Sequence, residues 1–320
     1  MPERTHPRFT RPLPARALAL LVLLAWPASA SAAADAALRP VIRTADVARF
    51  YKIYEAAGGH PTAEELQADY IDPGSPGLLH LSEIRNVTGQ TIAKALAAHP
   101  QIFSDAKRCM AVLPSVRGRV TQALLTLHDL YPGAQFPPVT IAVSRGKPVG
   151  VADSTGVVIG LEALCAAEYL NPDVEDRFVH TIAHEYTHVQ QALSSPALYN
   201  GPRPTVLEAA LIEGAADFTA ALITKEAAFQ SPYAPSDKAS TKTIETKFAA
   251  DEDKTDLSQW IDNGTLTEPG NLGYWVGYRI VKAYYEHAGD KRQALREIVE
   301  MKDARAFLSK SGWYPGVQLN

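Results

Sequence analysis

His184 and His188 stand four residues apart in "HEYTH", with Glu185 directly after the first. On a helix, residues at this spacing share one face a turn apart, so two imidazoles can reach the same divalent ion. Glu185 then lies beside that ion without binding it, where it can take a proton from a polarised water. The chemistry on offer is metal-assisted hydrolysis. It needs one more residue, because a catalytic zinc takes three protein ligands and keeps a fourth position open.

Two helices must position such a site. The stretch "NPDVEDRFVHTIAHEYTHVQQAL" has helical period: Asn171 or Asp173 can cap it, acidic residues crowd its first turns, and Phe178, Ile182, Tyr186 and Val189 form one apolar stripe. After the break "SSPALYNGPRP", Thr205 and Glu208 form a capping-box pattern that opens "TVLEAALIEGAADFTAALITKE". This second helix is apolar on most sides and is expected to be buried. Glu213 sits in it, and an unanswered carboxylate there would cost on the order of several kcal/mol. A zinc ion shared with His184 and His188 answers it. Gly214 removes a side chain where the second helix is expected to approach the first. Asp217, four residues after Glu213, can accept a hydrogen bond from the second ring nitrogen of a ligand histidine, His184 first. His180 precedes His184 by one turn, but a fourth ligand would close the open position, so it reads as a residue beside the site or as simply exposed. His60, His80, His99 and His128 have no such context.

His184-Glu185-Tyr186-Thr187-His188, followed by Glu213-Gly214-Ala215-Ala216-Asp217, resembles the gluzincin metallopeptidases, the thermolysin-type clan with HExxH on one helix and ExxxD on the next. The resemblance implies that His184, His188 and Glu213 bind Zn2+, that Glu185 is the general base, and that Asp217 orients His184. Over the mature chain, including "YIDPGSPGLLHL" and "GYWVGYRIVKAYYE", the sequence also resembles a bacterial family of predicted, exported Zn-dependent proteases of unassigned substrate. The clan supplies a downstream Tyr or His that donates to the oxyanion. Tyr278 is the first choice for that role and Tyr274 the second, against the alternative that both are core aromatics.

Around these helices, apolar residues recur at helical spacing from about 40 to 135. "PVTIAVS" and "TGVVIGLEAL" then read as strands, with "RGKPVGVADS" as a loop or hairpin between them. Either "VTIAVS" or "GVVIGLE" can supply a sheet edge for an extended peptide. The expected fold is α+β and predominantly helical, with a small β-sheet preceding a zincin-type two-helix core. A single domain is expected over 40–320, made of a helical part (40–135), strands with the active-site helices (136–225) and a helical C-terminal part (226–320).

The first residues differ in kind. Arg4, Arg8, Arg11 and Arg16 lead into "ALALLVLLAWPA" and then small residues, the pattern of a signal peptide over 1–32 cleaved near Ala30 or Ala32. A periplasmic or secreted protein is expected, with no membrane association beyond export. Without residues 1–30, 27 basic side chains face 34 acidic ones, a charge of −7 that argues against nucleic-acid partners. Export makes Cys109 and Cys165 readable as a disulfide, the alternative being two buried thiols. The expected substrate is a peptide or protein. Two other readings share the motif: a catalytically silent zinc-binding or scaffold protein, and a zinc amidase acting on a non-peptide or cell-wall amide. Neither substrate specificity nor oligomeric state is written in the motif.

Overall fold

Capping chemistry sets the start of both central helices. In the computed structural model, which describes Met1 and residues 40–225, 233–235, 237–261, 263 and 270–319, Asp173 accepts a hydrogen bond from the Asp176 amide, and Thr205 and Glu208 close a reciprocal capping box. Each such cap contributes about 1 kcal/mol. Beyond Met1, the expected signal peptide lies outside the described residues.

The helices are α1 (Ala45–Ala56), α2 (Ala63–Glu65), α3 (Pro76–Arg85), α4 (Gly89–Ala98), α5 (Pro100–Ala106), α6 (Leu113–Leu130), α7 (Leu161–Ala166), α8 (Val174–Ser194), α9 (Pro196–Tyr199), α10 (Val206–Thr224), α11 (Lys238–Asp251), α12 (Leu272–His287), α13 (Lys291–Val299) and α14 (Ala304–Lys310). The strands are β1 (Ile42–Arg43), β2 (Val139–Ala142), β3 (Gly150–Asp153) and β4 (Gly156–Gly160). Together they make a predominantly helical α+β fold, and Leu38–Asn320 forms one compact unit.

The sheet has the order β1-β2-β4-β3. Its first three strands are parallel, and β3 returns antiparallel along β4. The register aligns Thr140, Val158 and Val151 on one face, and Ile141, Ile159 and Gly150 on the other. A Cβ on Gly77 would strike Thr140, and one on Gly150 would strike Glu185. So α3 covers the first face and α8 the second. This arrangement corrects the expected edge: "VTIAVS" and "GVVIGLE" form interior strands, and the edge over α8 is β3, inside the stretch read as loop or hairpin. β3 escapes detection because it is four residues long, starts on Gly and has only Val151 buried. The end of "TGVVIGLEAL" is also helix, as α7.

Phe178, Ile182, Tyr186 and Val189 on α8 are all buried in an apolar cluster with the sheet and the N-terminal helices. Burying each contributes about 1.5–3 kcal/mol. Helix α10 belongs to a second cluster with α11 and α12. Its small residues let α12 come very close: a Cβ on Gly277 would run into Ala210 O, and one on Gly214 into the Gly277–Tyr278 peptide. Gly214 therefore serves the contact with α12 and not, as its sequence position suggested, the contact with α8. The seam between the two clusters is where α8 meets α10. Cys109 and Cys165 form a disulfide with Cα atoms 6.2 Å apart, resolving the alternative left open by the sequence. Among the described residues, no helix is long and apolar enough to cross a membrane.

Candidate metal centre

Helices α8 and α10 bring His184, His188 and Glu213 together at their seam. The two Nε2 atoms lie 3.0 Å apart, and Glu213 Oε2 lies 3.3 Å from that of His184 and 3.2 Å from that of His188. The opposite ring nitrogens are engaged elsewhere. His184 Nδ1 is 2.7 Å from Asp217 Oδ1, and His188 Nδ1 is 2.7 Å from Gln191 Oε1. The Gln191 amide donates through Nε2 to Ile212 O at 3.0 Å, which turns its oxygen toward His188. Both Nδ1 atoms therefore carry the proton, and in the neutral rings both Nε2 atoms present lone pairs.

With both rings neutral, three electron-pair donors converge. A cation belongs between them. Zinc bound to nitrogen at about 2.0–2.1 Å in a tetrahedral site separates neighbouring ligand atoms by about 3.3 Å, close to all three observed separations. The two-imidazole, one-carboxylate set also suits a catalytic site, which keeps one position free. The residues fit the ion. Glu213 is 21% exposed at its side chain, so the cluster reaches solvent on that side.

Charge follows the same geometry. Burial disfavours a charged His184 ring, but its hydrogen bonds to Asp217 and Glu213 outweigh that and raise its pKa well above the ordinary value. Burial likewise pushes Glu213 upward, and the two imidazoles overcome it and hold Glu213 far below the carboxylate range. Asp217 is lowered against its burial by His180 and His184. His180 Nε2 stands 3.8 Å from Asp217 Oδ1, on the Nδ1 side of His184 and away from the converging donors.

Glu185 faces the strand and takes no part in the donor cluster. Its carboxyl is buried, and burial raises its pKa while His188, His184 and Arg85 pull it back. Glu185 Oε2 has no hydrogen-bond partner among the described residues. A buried, unpartnered carboxylate oxygen is free to accept a proton.

Residues 158–304 match the sequence model of a family described as Predicted Zn-dependent protease (DUF2268). The matched stretch holds HEYTH and EGAAD, and it supports the family of predicted Zn-dependent proteases for this chain. No curated protein and no solved structure matches it.

The two tyrosines singled out downstream separate in space. Tyr274 stacks parallel to the His184 ring, with centroids 6.3 Å apart, whereas Tyr278 packs against Phe218 at 5.9 Å. Three residues that the sequence reading passed over also belong to the site. Gln191, three residues after His188, shares its helix face, a spacing that would have revealed it. Gly150 on β3 leaves the space that Glu185 occupies. Tyr199, in the break between the two motif helices, places its ring 5.4 Å from that of His188 and donates its hydroxyl to Ala152 O at 2.8 Å. Burial, Glu185 and Glu213 all drive that hydroxyl far above the ordinary tyrosine pKa. No side-chain periodicity marks Gly150 or Tyr199.

Proposed function

We propose that this chain is an exported zinc-dependent peptidase of the gluzincin type, which hydrolyses peptide bonds with Glu185 as general base. The observation that carries the reading is the meeting of His184, His188 and Glu213 around a common centre, with Glu185 next in the chain to His184 and its Oε2 buried without a partner among the described residues. His184, His188 and Glu213 would hold the ion, which when bound supplies Lewis-acid polarisation and lowers the pKa of water toward about 7. Asp217 and Gln191 fix the ring tautomers so that Nε2 faces inward. Glu185 Oε2 takes the proton of the attacking water and passes it to the leaving amine. Main-chain groups of the β3 edge at Gly150 hold the peptide against Glu185. Of the two tyrosines, Tyr274 is the one against His184 and the donor assigned to the developing oxyanion. Export rests on the N-terminal charged, apolar and small-residue pattern.

Glu185→Gln tests the reading. The variant is expected to bind zinc as tightly as the wild type and to lose turnover of a peptide library. Hydrolysis at a comparable rate by the zinc-loaded variant would remove Glu185 from the mechanism.

A further inference from the structure

The β3 edge is partly occupied by the protein itself. Gly160 N–H donates to Val149 O at 2.9 Å, so Val149 and, by antiparallel alternation, Val151 and Asp153 turn their main-chain groups toward β4. Gly150 and Ala152 turn theirs outward. Gly150 stands against Glu185, but Ala152 O already accepts the Tyr199 hydroxyl. The half-buried Tyr199 ring lies against His188, filling the space between α8 and this end of the strand. Its helix is anchored: the Leu198 and Tyr199 amides donate to Ser195 O, and Leu198 packs against the second apolar cluster.

We propose that Tyr199 is a specificity-determining stop that closes one end of the substrate cleft, so that the enzyme trims peptides from a free N-terminus and rejects internal segments. The proposal rests on the peptidase reading of the same site. Antiparallel addition to an edge is the more stable and more common pairing. Since β3 runs from Gly150 to Asp153, an antiparallel peptide points its N-terminal side toward Ala152. A residue paired at Gly150 has room for its immediate N-terminal neighbour, but the next bonded position requires Ala152 O. Tyr199 holds that oxygen and its ring fills the path.

The test uses two peptide series built outward from one bond, extended stepwise on either its N-terminal or its C-terminal side. Rates are measured on zinc-loaded wild type, Tyr199→Phe and Tyr199→Ala. Binding is measured by calorimetry in the Glu185→Gln background, with and without Tyr199→Ala, where turnover does not interfere. N-terminal extension beyond two residues is expected to weaken kcat/KM and affinity by about tenfold or more, the equivalent of losing one main-chain bonded pair with its neighbour displaced. C-terminal extension is expected to have little effect. Tyr199→Ala should restore the long N-terminal series with zinc content unchanged. Tyr199→Phe, which keeps the ring and frees Ala152 O, should restore it in part. If wild type cuts and binds N-terminally extended peptides as well as short ones, the stop is refuted and the peptidase reading stands. If the penalty falls on the C-terminal series, the assigned direction is refuted. If zinc-loaded wild type and Tyr199→Ala neither bind nor cut any peptide, both readings fall.

Discussion

Gly150→Ala tests how closely the strand sets Glu185, the proposed general base. A Cβ built at Gly150 would lie 2.8 Å from Glu185 Cδ and 3.0 Å from Cγ, and closer still to Oε1. Ordinary carbon contacts begin at about 3.4 Å, so the carboxylate must retreat by on the order of 1 Å. Glu185 is 6% exposed, and Gly150 is on a strand paired throughout its length with β4, so the side chain and not the strand gives way. A displacement of about 1 Å at a reacting group costs roughly a hundredfold in rate, about 2.7 kcal/mol of barrier. The overpacking itself costs about 1–3 kcal/mol of stability. His184, His188 and Glu213 do not touch Gly150, so zinc content should stay at the wild-type level. Steady-state kinetics on a library-derived peptide, metal analysis and a melting curve read the three quantities apart. Full kcat with an unshifted melting point would refute the claim that Gly150 exists to seat Glu185. Loss of zinc would show that the strand supports the ligands instead.

Removing either ring-orienting partner, by Asp217→Ala or Gln191→Leu, is expected to lower zinc affinity about 10–100-fold, measured by competition with a chromophoric chelator. Reducing the Cys109–Cys165 bridge, which spans 56 residues, should destabilise the protein by about 4 kcal/mol in urea titrations with and without reductant. Glu162 is fully buried, and burial raises its carboxyl above the free value of 4.5 despite hydrogen bonds from Ser144 and Gly146. The folded state therefore binds its proton more tightly than the unfolded one. Stability from this group is complete below about pH 4.5 and falls as pH rises through the raised value. Glu162→Gln should remove that slope, seen as a smaller difference in urea midpoint between pH 4.5 and 7.

The meeting of His184, His188 and Glu213 was legible because its constraint is local. One helical turn sets His184 against His188, and a carboxylate in an apolar helix demands a cation. The capping residues Asp173 and Thr205 were legible for the same reason, since each acts within three residues of itself. What the sequence hid depends on distant partners. Gly150 and Glu185 are 35 residues apart, and only the β3 return along β4 brings them together. Gly214 was seen as a point of close approach but matched to the wrong helix, because a missing side chain does not say what fills the space. Tyr199 lies where the helical pattern stops, and its partner oxygen belongs to the main chain of a strand that was itself unread.

The disulfide has one more consequence. It closes a covalent ring over residues 109–165, and β2, β3 and β4 all lie inside that ring. A single nick anywhere between the two cysteines leaves both halves of the chain attached. Preparations cut between the two cysteines will therefore run as one full-length band until the bridge is reduced, and only then show two fragments.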